Sequence, residues 1–249
     1  DLITHVISWK EFKDLQRSFL RAGVANAEIP TDHAIFASLY KYARKYKIKY
    51  IIDGVNFATE KPRKNFKVSG YSYSDLTHLK DIHRKFGKER LKTLPRMSLF
   101  QKYLYVKLLK IKQVSLLDYI DYNKDEAIEL LQKELEWKSY GGKHHESIFT
   151  KWHQLIYLPT RFGFDKRRLH LSDLILDGQM EREKAMNILS EPPIGDVERG
   201  RLNQYVSKKL GFSESEFNTI LSSPPVDYSS YVTAEKWVKI YKQYIARIK

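Results

Sequence analysis

Residues 1–54 read DLITHVISWK EFKDLQRSFL RAGVANAEIP TDHAIFASLY KYARKYKIKY IIDG, and the fold class turns on them. Leu2 to Ile7 is a short apolar run of strand type. Ser8 and Glu11 have the spacing of a capping box, in which each side chain satisfies a free backbone N–H. The periodicity then predicts a helix to about Arg21, with Phe12, Leu15, Phe19 and Leu20 on its apolar face. Val24 to Ile29 reads as a weak second strand. Pro30, Thr31 and Asp32 open a helix running to about Tyr46. Lys49 to Asp53 is a third strand, stopped by Gly54. Strand, helix, strand, helix, strand is the signature of a parallel sheet with crossover helices. The expected fold is therefore α/β, a parallel sheet with crossover helices, followed by a mainly helical C-terminal region. Residues 1–73 would belong to the α/β domain and 74–249 to the helical one.

In such sheets ligands bind beyond the carboxyl ends of the strands. Two polar junctions fall there: Pro30 to His33, and Asp53 to Glu60. Lys61 to about Tyr73 is rich in Pro, Lys, Gly and Ser and reads as a mobile loop. Beyond it, helical spacing appears at 75–86, 99–109, 124–137, 145–158, 166–176, 181–189, 197–210, 214–221 and 234–248. Leu116 to Ile120 reads as a possible strand.

Composition narrows the classes. The 249 residues are 42% hydrophobic with 17 Tyr, which argues against wholesale disorder. No run approaches the roughly 20 apolar residues needed to span a bilayer, so no membrane insertion is expected. Cysteine is absent, which removes disulfides and thiolate zinc sites. A formal charge of +14 admits nucleic acid, a phosphorylated small substrate, an anionic membrane surface, or simply a solvated basic surface. Because the basic residues are spread along the chain, a nucleic-acid-binding arm is disfavoured.

Two stretches carry candidate chemistry. In Tyr140 to Ser147, Gly141 and Gly142 let the backbone approach a ligand closely, and Lys143 can meet a phosphate or carboxylate. A helix expected to begin at His145 would point its free N–H groups at the same anion. On spacing alone, a plain glycine turn with solvated charges stands ahead of this reading. In Phe164 to Ser172, Lys166, His170 and Asp173 share one helix face. Cations at a helix start oppose the dipole and call for an acidic neighbour or an anionic ligand. Histidines 144, 145, 153 and 170 lack the spacing of a metal site.

The ordered series Glu28 to His33, Ile51 to Gly54 with Asn56, Ala58 to Glu60, Gly141 to Ser147, Leu158-Pro159, Phe162 to Arg168, His170 to Ser172, Gly178 to Met180, Lys208 to Gly211 and Pro224-Pro225 resembles the N-acetyl sugar amidotransferase family. That family belongs to the ATP-pyrophosphatase superfamily and acts in lipopolysaccharide and nonulosonic-acid biosynthesis; the resemblance implies an α/β fold with a doubly wound parallel sheet of the adenine-nucleotide α-hydrolase-like type. The resemblance implies conversion of a sugar acetamido group to acetamidino. ATP with Mg²⁺ would adenylylate the amide oxygen, and ammonia from a glutaminase–synthase pair resembling the histidine-pathway proteins would displace AMP. The substrate it implies is a nucleotide-linked sugar, and the location cytoplasmic. Carried residue by residue, it suggests catalytic roles for Lys143, His144, Glu146 and His33. It gives nucleotide contacts to Asp32, Asn56, Thr59, Glu60, Gly141 and Gly142, with Asp32 and Glu60 near Mg²⁺. Substrate contacts fall to Lys166, Arg167, Arg168 and His170.

The chain departs from the family in three respects. It lacks the Ser-Gly-Gly-Lys-Asp-Ser phosphate loop and the early cysteine pairs, and Asp53 stands where a small hydroxyl residue is usual. These departures imply a chain that begins at the family's third strand, and a piece that alone binds ATP weakly and shows no amidotransferase activity until the upstream strand and loop are restored. A tRNA-modifying relative and a non-catalytic binding subunit are the competing classes, with nucleic acid disfavoured.

Overall fold

The structure, a computed structural model, describes residues 1–60 and 71–240. The chain divides into two compact units. Unit 1 comprises Asp1–Lys49, Ser69–Lys112 and Pro224–Lys249, and unit 2 comprises Tyr50–Val68 and Gln113–Ser223. The division thus does not fall at residue 73.

Unit 1 is helical. It holds α1 (Trp9–Ala22), α2 (Ile29–Lys45), α3 (Leu76–Phe86) and α4 (Leu99–Lys107), and residues 235–240 are helical as well. Leu15, Phe19, Ala22, Val24, Ile29, Leu79, Ile82 and Leu94 form its core. Two carboxylates of α1 organise the loop after α3. Glu11 accepts from Thr93 N and Oγ1 and from Leu94 N, and Asp14 accepts from His83 Nε2, Lys88 N and Glu89 N. Glu11 therefore does not complete the expected capping box. Ser8 Oγ accepts from Glu11 N, but the Glu11 carboxylate is spent on residues 93 and 94.

The returning C-terminal segment is strapped onto α3. Asp75, the N-cap of α3, accepts from Ala234 N at 2.6 Å, and Asp81 accepts from Val232 N at 2.9 Å. Tyr228 stacks on Tyr71, and Tyr231 Oη donates to Ala22 O.

The expected doubly wound parallel sheet is not formed. Among the described residues the strands are β1 (Tyr50–Asp53) and β2 (Lys112–Ser115), a parallel pair, and the molecule is mainly helical. Leu2 to Ile7 is not a strand, and Leu2 and Val6 are 95% and 85% exposed. Val24, Ala27 and Ile29 are buried, but through turns rather than a ladder. Gln16 Nε2 donates to Ala27 O, Gly23 N to Leu20 O, and Gly23 O accepts from Val226 N, so the local backbone groups have non-strand partners. Leu116–Tyr119 is a 3₁₀ turn, the strand lying just before it. Residues 61–70 of the loop expected from Lys61 to about Tyr73, and 241–248 of the last expected helix, lie outside the described residues.

Unit 2 continues with α5 (Lys124–Leu135), α6 (Ile148–Trp152), a π-helical segment (His153–Tyr157) and α7 (Leu158–Phe162). It closes with α8 (Arg167–Leu176), α9 (Arg182–Ser190), α10 (Asp196–Leu210) and α11 (Glu214–Ser222). The stretch from α6 to α7 is one helix with a widened turn. Pro159 has no N–H and its ring would crowd the carbonyl four residues back. The turn before it opens so that Leu158 N donates to His153 O instead. Trp152, Ile156 and Tyr157 are fully buried, with Trp152 Nε1 on Asn203 Oδ1 and its ring 5.6 Å from that of Phe217.

Candidate functional site

The segment after β1 is shaped by side-chain acceptors. Asp53 Oδ1 accepts from Val55 N, Asp118 Oδ1 from Phe57 N, and the buried Asn56 accepts from both Thr59 N and Thr59 Oγ1. Such Asx-type bonds set a turn without regular structure. Here they deliver Glu60, whose N donates to Asn56 O.

Glu60 meets Lys143. The Nζ–Oε1 distance is 2.6 Å, and Lys143 Nζ also donates to Thr59 O at 3.2 Å. Lys143 sits in a tight turn. Gly141 has φ +80° and His144 φ +63°, left-handed values that favour glycine and are uncommon for histidine. A Cβ at Gly142 would collide with the His145 imidazole, so that ring requires glycine beneath it. His144 lies 3.9 Å from Glu60 through Nε2 and 3.9 Å from Glu146 through Nδ1. The helix does not start at His145: α6 begins at Ile148, capped by Ser147, whose Oγ accepts from Thr150 N.

From α8 come Lys166, His170 and the buried Asp173. Burial lowers the Lys143 amine below the ordinary lysine range; Glu60 and Asp173 oppose that, and Lys166 adds to it. His170 is pushed down to about 3, first by burial and then by Lys143, Lys166, His144 and Lys124. Three lysines therefore act on one half-buried imidazole, which stays neutral at physiological pH.

Two members of the cluster carried no signal in the sequence. Lys124 opens α5, and the Tyr122 phenol is raised by burial and by the nearby Glu60 carboxylate. Gln179 positions both, because its Oε1 accepts from Lys124 N and its Nε2 donates to Tyr122 O. Nothing in the local sequence pairs residues 122–124 with the end of α8.

The structure thus brings Asn56, Thr59, Glu60, Gly141, Gly142, Lys143, His144, Glu146, Lys166 and His170 into one unit around a single charge cluster. Arg167 is committed elsewhere. It is paired with Asp165 at 2.7 Å and donates to Ile188 O and Glu191 O, fastening α8 to the end of α9. Arg168 is exposed. Asp32 and His33 belong to unit 1. Buried His33 donates from Nδ1 to Tyr73 O at 2.7 Å and accepts from Met97 N at Nε2, so both ring nitrogens are engaged in packing. Among the described residues no group of three or more His, Asp or Glu is arranged to hold a metal.

Comparison with known families gives one match. Residues 146–244 are similar to the family described as LPS biosynthesis protein WbpG-like, C-terminal domain. It links the chain, at that level, to lipopolysaccharide biosynthesis. The matched residues include Glu146, Lys166 and His170 and stop short of Lys143 and Glu60. No curated protein and no solved structure matches the chain. Among the described residues no helix is long and apolar enough to cross a membrane.

Proposed function

We propose that the chain works in lipopolysaccharide biosynthesis as an ATP-dependent amidotransferase, converting the acetamido group of a nucleotide-linked N-acetyl sugar to acetamidino. The observation that carries this reading is the charge cluster: half-buried Lys143, held by Glu60, with Lys166 and Lys124 around a neutral His170. Cations partly withdrawn from water bind phosphate oxygens more strongly than solvated ones do. The similarity over residues 146–244 to a lipopolysaccharide-biosynthesis domain points the same way.

The residues supply three things. Lys143, Lys166 and Lys124 neutralise phosphate charge, and an incoming anion competes with Glu60 for Lys143. Gly141, with open space where a side chain would stand, keeps the turn low enough for a ligand to approach, and Gly142 seats the His145 ring beside it. His170 is neutral while the lysines are uncompensated; an anion that offsets them raises its basicity, so it becomes a proton acceptor only in the complex. ATP, when bound, would supply the activation an amide oxygen needs to leave. Glu60 would be the carboxylate of this cluster available to Mg²⁺, which would arrive with the ATP phosphates rather than in a protein cage.

The test is incubation of the chain, extended upstream by a strand and glycine-rich phosphate loop of the family's type, with ATP, Mg²⁺, ammonium and a nucleotide-linked N-acetyl sugar, reading oxygen-for-NH exchange by high-resolution mass spectrometry. The exchange is expected, and Lys143→Ala should slow it by on the order of 10²-fold while leaving the melting temperature nearly unchanged. Absence of exchange in the unaltered protein, or full activity of the variant, contradicts the reading.

A further inference from the structure

The +14 charge is not shared between the units. Unit 1 contains 25 Lys and Arg against 10 Asp and Glu, and unit 2 contains 19 against 20. Within unit 1 the excess is concentrated further. Residues 33–49 and 90–112 contain no acidic residue at all. These two segments meet: Lys112 N donates to Lys49 O at 2.8 Å, Lys49 Nζ to Leu109 O at 2.9 Å, and Tyr40 stacks on Tyr105. Both helices end alike, α2 running into left-handed Lys47 and α4 into left-handed Lys110. The result is one continuous basic surface. Lys41, Arg44, Lys45 and Lys47 come from one segment, Lys107, Lys110 and Lys112 from the other, all exposed. None of them is ion-paired among the described residues.

Large apolar side chains stand exposed among these lysines. Leu108 is 69% and Phe100 68% exposed, and Ile48, Tyr46 and Val106 are exposed too. We infer that this face of unit 1 docks on an anionic lipid surface, its lysines against the headgroups and Leu108, Phe100 and Ile48 in the interfacial layer. Aliphatic and aromatic groups set among lysines are what a headgroup boundary accommodates. The aliphatic ones, Leu108, Ile48 and Val106, add nothing to a phosphodiester backbone. Recognition of nucleic acid favours arginine forks and stacked rings, whereas the cations here are lysines except for Arg44. The inference stands independently of the amidotransferase reading.

The experiment is co-sedimentation of the full chain with phosphatidylcholine vesicles, with and without phosphatidylglycerol, across a salt series. Binding is expected only with phosphatidylglycerol and should weaken as salt rises. Combined Lys45→Glu, Lys47→Glu, Lys107→Glu and Lys110→Glu should reduce partitioning roughly tenfold or more. Leu108→Gln should reduce it at unchanged charge. The matched set Lys133→Glu, Lys138→Glu, Lys184→Glu and Lys208→Glu in unit 2 should leave it intact. No binding to anionic vesicles, equal loss with the unit 2 set, or retention by the unit 1 variant overturns the inference. So does binding of single-stranded RNA that is tighter than vesicle binding and indifferent to Leu108→Gln.

Discussion

His170 offers the most direct view of the charge cluster, because its protonation responds to every cation around it. An imidazole held down to about 3 by burial and by Lys143, Lys166, His144 and Lys124 should show no titration near 6.5 in an NMR pH series. Adding a nucleotide-linked sugar should raise its pKa, since the anion offsets the lysines. A His170 that titrates near 6.5 in the free protein would remove the cluster's electrostatic basis. His33 yields a second expectation. Burial lowers its pKa, as it does for His78, His145 and His170, so the folded state resists protons that the unfolded chain accepts. Stability from these groups is present above pH 6.5 and is lost as pH falls below it. Glu11, Asp14 and Asp81, whose pKa values are lowered because their hydrogen bonds outweigh burial, extend the loss at more acid pH. Denaturant midpoints at pH 7.5 and 5.5 should show the drop, and His33→Gln should flatten it. An unchanged slope in that variant would mean His33 is protonated while folded.

At the scale of elements, the helices and the strand at Tyr50–Asp53 were legible, and the rest of the expected sheet was not. Ser8 before α1 and Pro30 in the first turn of α2 mark their starts by local chemistry, and local chemistry is what a helix consists of. A strand needs a partner for its backbone. The apolar residues of 2–7 and 24–29 have the composition of strands, yet the carbonyl of Ala27 goes to Gln16 and that of Gly23 to Val226, contacts made 11 and 203 residues apart. The site divides likewise. Gly141 to Glu146 and Lys166 to His170 could be read from their motifs. Lys124 could not, because its place depends on Gln179 reaching back to residues 122–124. Gln179→Leu should therefore raise amide exchange at residues 122–126 while the exchange of α10 stays constant; equal protection in the variant would show that the clamp does not hold α5. Glu11 gives the corresponding test in unit 1. Its carboxylate satisfies two backbone amides and a hydroxyl, so Glu11→Ala should cost roughly 2–3 kcal/mol of stability in denaturant titrations. A loss within about 0.5 kcal/mol would reduce that contact to a surface interaction.

For the whole molecule, the two units carry different electrostatics. Unit 2 is nearly neutral overall and sets Lys124, Lys143 and Lys166 around His170, while unit 1 holds the surplus on an exposed face. Net charge alone, read from the sequence, could not separate a binding cluster from a basic surface. The chain leaves unit 1 after Lys112 and returns at Pro224 to be clasped by Asp75 and Asp81, so unit 1 is completed by residues from both ends of the sequence. The central claim is that the Lys143–Lys166–His170 cluster binds the phosphates of a nucleotide-linked N-acetyl sugar. Isothermal titration of the full chain with such a sugar tests it. The unaltered protein and a Lys184→Ala control should bind alike, and Lys143→Ala with Lys166→Ala should bind on the order of 10²-fold more weakly with the fold retained. Equal affinity in the double variant, or no binding by the unaltered protein, would contradict it.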